Sequence, residues 1–119
     1  MKEFKRLWVA AALVASGAAH ANLILNGSFE SASVNPTTFM TLPAGSTAIA
    51  HWVVGAPNID FINKGEWNAS DGNRSVDLDG GIGSAGSVSQ SFATLAGADY
   101  RVTFDLSGNP GALPMVKTV

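Results

Sequence analysis

The chain has no cysteine in 119 residues. An exported domain of this size without disulfides rests on its hydrophobic core, helped at most by a metal. Basic side chains are also scarce: beyond residue 21 only Lys64, Arg74, Arg101 and Lys117 remain, each alone along the sequence. Phosphate neutralisation needs clustered Lys and Arg, so a duplex nucleic acid is excluded as a partner. Nor is there an apolar run of the ~20 residues that span a bilayer. No stretch of ten or more residues after residue 21 shows apolar positions at helical spacing, which excludes a helical architecture.

What is present begins with a leader. Lys2, Lys5 and Arg6 form its positive end, residues 7–15 its apolar run, and Ala19-His20-Ala21 a small-x-small cleavage site. Residues 1–21 are read as a signal peptide, and residues 22–119 as one domain of a secreted or cell-surface protein. Cleavage removes three basic and one acidic residue of 7 and 9, moving the formal net charge from −2 to −4. The short leader and the absence of disulfides favour a bacterial exported protein. Asn26-Gly27-Ser28, Asn68-Ala69-Ser70 and Asn73-Arg74-Ser75 have the form of glycosylation acceptors and carry that meaning only in a eukaryote.

The remaining sequence is rich in Gly, Ser, Thr, Val and Asn and reads as all-β. Strands are expected over residues 22–25, 37–42, 47–54, 59–62, 75–78, 87–93, 100–106 and 115–119, separated by Gly, Pro, Asn and Asp clusters. Short strands at this spacing predict a β-sandwich or jelly roll. Alternation places Val76 and Leu78 opposite Ser75, Asp77 and Asp79, and sets Tyr100, Val102, Phe104 and Leu106 against Arg101, Thr103 and Asp105. Both apolar rows are expected in the core, as are Phe29, Trp52 and Phe92. Gln90 falls in line with Val88 and Phe92, which predicts a strand end or a hydrogen bond to backbone. Residues 115–119 read as the middle of a strand, so the sandwich is expected to be incomplete at that end, with an open edge.

Gly81, Gly83 and Gly86 spell G-x-G-x-x-G, but residues 87–92 alternate as a strand where a dinucleotide site needs a helix N-terminus. The match is spurious.

Asn26-Gly27-Ser28-Phe29-Glu30, Trp52, Asn58-Ile59-Asp60, Trp67, Ser70-Asp71-Gly72-Asn73-Arg74-Ser75-Val76-Asp77-Leu78, Ser89-Gln90-Ser91-Phe92 and the segment from Tyr100 to Pro110 together resemble the choice-of-anchor C family. These are exported bacterial proteins similar to a plant cell-wall family of unknown function. The resemblance implies a galactose-binding-like jelly-roll fold and a non-catalytic exterior module that binds polysaccharide. Family members continue into further strands and an anchoring segment, so against that pattern the chain is expected to be truncated at its C-terminal end. Fold alone does not establish the activity.

Catalysis is poorly provided for. After the leader the single histidine is His51, beside Trp52 in an apolar stretch, and no G-x-S-x-G elbow is present. Glu30, Glu66, Asp60, Asp71, Asp77, Asp79, Asp99 and Asp105 could supply a glycosidase pair, yet nothing singles out two of them. Asp77 and Asp79 suit a solvated face, and Asp79-Gly80 suits a turn.

A calcium site is a further expectation. Ca²⁺ takes carboxylate and carbonyl oxygens, and the Gly27-Ser28 turn can aim carbonyls toward the Glu30 carboxylate, giving Glu30 and Ser28 as metal candidates. The resemblance adds that galactose-binding-like domains hold a structural calcium with the Glu of such a segment. The alternative is Glu30 as a hydrogen-bond acceptor closing a turn. For glycan binding, Trp67 lies in a polar stretch with Asn68, Asp71, Asn73 and Arg74, which offer donors and acceptors for sugar hydroxyls. The alternative has Trp67 tucked under its own loop and Arg74 paired locally with an acid. Against a carbohydrate-binding module stands a structural or adhesive domain that pairs with proteins or with copies of itself.

Overall fold

The structure is a computed structural model that describes residues 22–80 and 85–108. It is all-β, with no helix among the described residues. Strands β1 (Phe39–Pro43), β3 (Asn58–Asn63) and β4 (Arg74–Asp77) form one antiparallel sheet with β3 in the middle, while β2 (Val53–Gly55) pairs antiparallel with β5 (Ser87–Ser89).

β3 is central because its sequence can be buried on both faces. Ile59 and Phe61 point to one side and are fully buried, and Ile62, on the other side, is 2% exposed. Register sets Leu42 of β1 opposite Ile59, and Val76 of β4 opposite Phe61. From the second sheet, the paired Val54 and Val88 meet that surface. Ile49, Phe29, Trp52 and Leu78 complete the cluster. Two antiparallel sheets thus enclose one core, as in a β-sandwich. Full burial of each such side chain contributes roughly 1.5–3 kcal/mol.

The segment expected as a first strand, residues 22–25, runs into a turn instead. Asn26 sits at φ 52°, a left-handed conformation that Asn tolerates better than most residues. Its side-chain nitrogen donates to the carbonyls of Ser31 and Ala50, both at 2.9 Å, and its side-chain oxygen accepts from the Ser31 amide at 2.9 Å. Its own carbonyl accepts from Phe29 N–H and from the Trp52 indole Nε1 at 3.0 Å. Phe29 and Trp52 stack with ring centroids 5.2 Å apart. The Asn26–Glu30 motif is a knot that closes one end of the core.

Other expected strands are shorter or unpaired. Over residues 47–54 only an isolated Ala32–Ile49 bridge and the start of β2 are extended and paired, because His51 turns the chain at φ 71°. β5 ends at Ser89, and Gln90 at that strand end bonds the Leu25 backbone as expected. Residues 100–106 form no ladder among the described residues. The row expected in the core is exposed: Val102 at 67%, Phe104 at 73% and Leu106 at 61%. Alternation specifies a face but cannot supply the sheet that would cover it. Phe92 and Tyr100 contact each other at 6.4 Å between centroids yet remain partly open to solvent, so they too fall outside the core. The expected strand 115–119 and glycines 81 and 83 lie outside the described residues, whereas Gly86 leads directly into β5, a strand.

Candidate functional site

The site is built on the connection between β3 and β4. The last residue of β3, Asn63, organises it. Its side-chain nitrogen donates to the carbonyls of Pro36 and Thr37 at 3.1 and 3.0 Å, and its side-chain oxygen accepts from Lys64 N–H at 2.9 Å. The Asn63 carbonyl accepts from the amides of Glu66 and Trp67 at 2.8 and 3.4 Å. These bonds tighten residues 64–67 into a turn with Trp67 at its end.

The return into β4 is fixed from across the sequence. Glu30 Oε1 accepts from the backbone N–H groups of Asn73 and Arg74 at 2.6 and 2.8 Å. Gly72 at φ 71° makes room, for a Cβ there would lie 2.7 Å from the Glu30 carboxyl carbon. Charge-assisted bonds of this kind are about twice as strong as neutral ones. Glu30 thus accepts from the backbone and closes a turn, one of the two roles read from the sequence. No group of three or more His, Cys, Asp or Glu side chains that could hold a metal ion occurs among the described residues. Ser28 sits in the 24–28 turn, and Oε1 of Glu30 accepts from the two amides at the entry to β4.

Arg74 and Ser75 then diverge, because successive strand residues face opposite ways. The Arg74 guanidinium lies 5.2 Å from the centroid of the Phe61 ring, donates to Pro36 O at 3.5 Å and bonds Asn35 Oδ1. Ser75 and Asp77 share the other face. There they line an open cleft of about 660 Å³ with Glu66, Trp67, Asn68, Ser70, Asp105 and Ser107. Trp67 is half-buried and lines the cleft.

Of the five residues expected to bind glycan, the structure brings Trp67 and Asn68 to this cleft. Asp71 is exposed in the turn beyond it, Asn73 offers its backbone to Glu30 and Lys64, and Arg74 is committed to the core face. The expected Arg74 partner, an acid, is replaced by an amide, a carbonyl and an aromatic ring. Asp77 and Asp105 are the residues whose place beside Trp67 escaped the sequence. Their positions on polar strand faces were visible, but their distance from Trp67 depends on topology. Asp77 Oδ1 also accepts the Asp79 amide at 3.0 Å, the turn chemistry expected at that point.

A family model described as a protein of unknown function (DUF642) matches residues 22–118, and the chain belongs to that family. No curated protein and no solved structure matches it.

Proposed function

We propose that this member of the family is an exported, non-catalytic module that binds polysaccharide in the cleft beside Trp67. The observation that carries the reading is that half-buried Trp67 shares one open cleft with Asn68, Ser70, Ser75, Asp77 and Asp105. An aromatic face takes the apolar side of a pyranose, and hydroxyl, amide and carboxylate groups bond its hydroxyls. The leader-like residues 1–21 and the resemblance to exported anchor proteins support a place outside the cell. No helix among the described residues is long and apolar enough to cross a membrane.

Affinity electrophoresis through gels containing individual polysaccharides tests the reading. Retardation of the purified protein by at least one polymer is expected, with loss of most of it in Trp67→Ala. Arg74→Ala is expected to keep it, since Arg74 faces the core side. Retention that Trp67→Ala leaves unchanged would remove the cleft from the function.

A second reading, a structural domain that associates with itself, is favoured by one observation. Val102, Phe104 and Leu106 stand exposed along a segment without ladder partners among the described residues. Unpaired backbone beside apolar side chains is a template for strand addition.

A further inference from the structure

Asn26 and Gly27 form the single Asn-Gly pair of the chain. Glycine has no Cβ, so its amide nitrogen is unshielded and its backbone turns easily. In a pliable peptide that nitrogen attacks the amide carbon Cγ of the preceding asparagine. The new C–N bond closes a succinimide, and Nδ2 leaves as ammonia, carrying the proton that the glycine nitrogen gives up. Water, the one co-reactant, then opens the ring to aspartate or isoaspartate.

The fold restrains both reacting groups. Asn26 Nδ2 donates to the carbonyls of Ser31 and Ala50, and Oδ1 accepts from the Ser31 amide, each at 2.9 Å. Two carbonyls facing the nitrogen and an N–H facing the oxygen leave one orientation of the amide that satisfies all three. The peptide unit that carries the Gly27 nitrogen is held through its carbonyl, which accepts from Phe29 N–H and from Trp52 Nε1, both at 3.0 Å. Cyclisation needs the side chain to swing toward the main chain and the peptide unit to turn with it. Those movements break bonds that tie the turn to Ala50 and Trp52, so the reaction requires this end of the core to open.

The product no longer fits. Aspartate still accepts from the Ser31 amide but has no donor for the carbonyls of Ser31 and Ala50, and it sets a negative charge against them. Isoaspartate lengthens the main chain by a methylene at a residue whose φ of 52° the turn requires. Gly27, by contrast, is needed by the reaction and not by the fold. It lies outside the left-handed region, and a Cβ there would meet Ile24 Cγ2 at 3.5 Å, an ordinary contact.

We propose that Asn26 is a deamidation site governed by folding: silent in the native domain, reactive in the unfolded chain, and incompatible with refolding once converted. Prolonged unfolding thereby becomes irreversible through a covalent change.

Peptide mapping by mass spectrometry tests it on the purified protein, incubated in mildly alkaline buffer with and without guanidinium. Conversion of Asn26 is expected to be about tenfold or more slower without denaturant, because a reaction of the open form follows its population. In guanidinium, Asn26 should outpace Asn68 and Asn73, whose following residues are Ala69 and Arg74. After dilution, the converted molecules should be missing from the refolded fraction separated by size exclusion. Gly27→Ala should melt as the parent does, react several-fold more slowly in guanidinium and refold after incubations that inactivate the parent.

Equal rates with and without guanidinium would overturn the proposal, as would a Gly27→Ala chain that converts as fast as the parent. Converted molecules that refold and melt like the parent would overturn it too, by showing that the turn accepts a carboxylate.

Discussion

The side-chain amide of Gln90 pairs with the backbone of Leu25 at both ends: its Oε1 accepts the Leu25 N–H and its Nε2 donates to the Leu25 carbonyl, each at 3.0 Å. A glutamine here takes the place of a neighbouring strand. It satisfies a backbone donor and acceptor 65 residues away in the sequence.

Replacing Gln90 with Ala removes both bonds and frees the segment around Leu25. A net loss of about 1–2 kcal/mol in unfolding free energy is expected. Gln90→Glu keeps an acceptor but loses the donor, so its cost falls between zero and that of Ala. Urea titrations of the three proteins check the ranking, and a Glu variant less stable than the Ala variant would contradict it.

Glu30→Ala should lower stability by roughly 2–3 kcal/mol, because two amides lose a charged acceptor at the entry to β4. Glu30→Gln retains an acceptor oxygen and should recover about half. The loss is expected to be the same with added calcium and with a chelator, since the carboxylate acts on backbone amides. Thermal melts of wild type and both variants in the two buffers provide the comparison; a loss seen in calcium alone would assign Glu30 to a metal.

Gly72→Ala should cost about 1–2 kcal/mol or more, combining the left-handed backbone with the collision at Glu30. In a Glu30→Ala background the steric part disappears. The two losses should therefore sum to less than their separate values, by roughly 0.5–1 kcal/mol, and strict additivity in a double-mutant cycle would contradict the contact.

Phe104→Ser together with Val102→Thr removes most of the exposed apolar row. If the self-association reading holds, sedimentation velocity at rising concentration will show the parent forming larger species and the double variant remaining at the slowest one. Stability of the core should change by less than about 0.5 kcal/mol, because neither side chain packs in it.

The central strand and its partners were legible because Ile59, Phe61, Val76 and Val88 repeat at the strand period within clear turn boundaries. The same signal misled at Tyr100, Val102, Phe104 and Leu106, where the pattern is equally regular and no ladder forms among the described residues. Period describes a face; burial depends on what covers it. Around the site, Trp67 could be picked out as an aromatic in a polar stretch. Arg74 could not be placed, because one residue of register decides whether its guanidinium joins the cleft or lies on Phe61. Glu30 offered two readings in sequence, and its bonds to the amides of Asn73 and Arg74 depend on a topology that the sequence pattern does not show.

The Asn26–Glu30 knot bears on the order in which the molecule forms. Asn26 waits for Ala50, Glu30 for Asn73 and Arg74, and Leu25 for Gln90, partners 24, 43, 44 and 65 positions downstream. Closing such long loops is slow, and the reward comes only after the entropy of closure is met. During synthesis the knot residues leave the ribosome before their partners and settle only when these arrive. The nascent chain therefore cannot close this network until Gln90 has emerged.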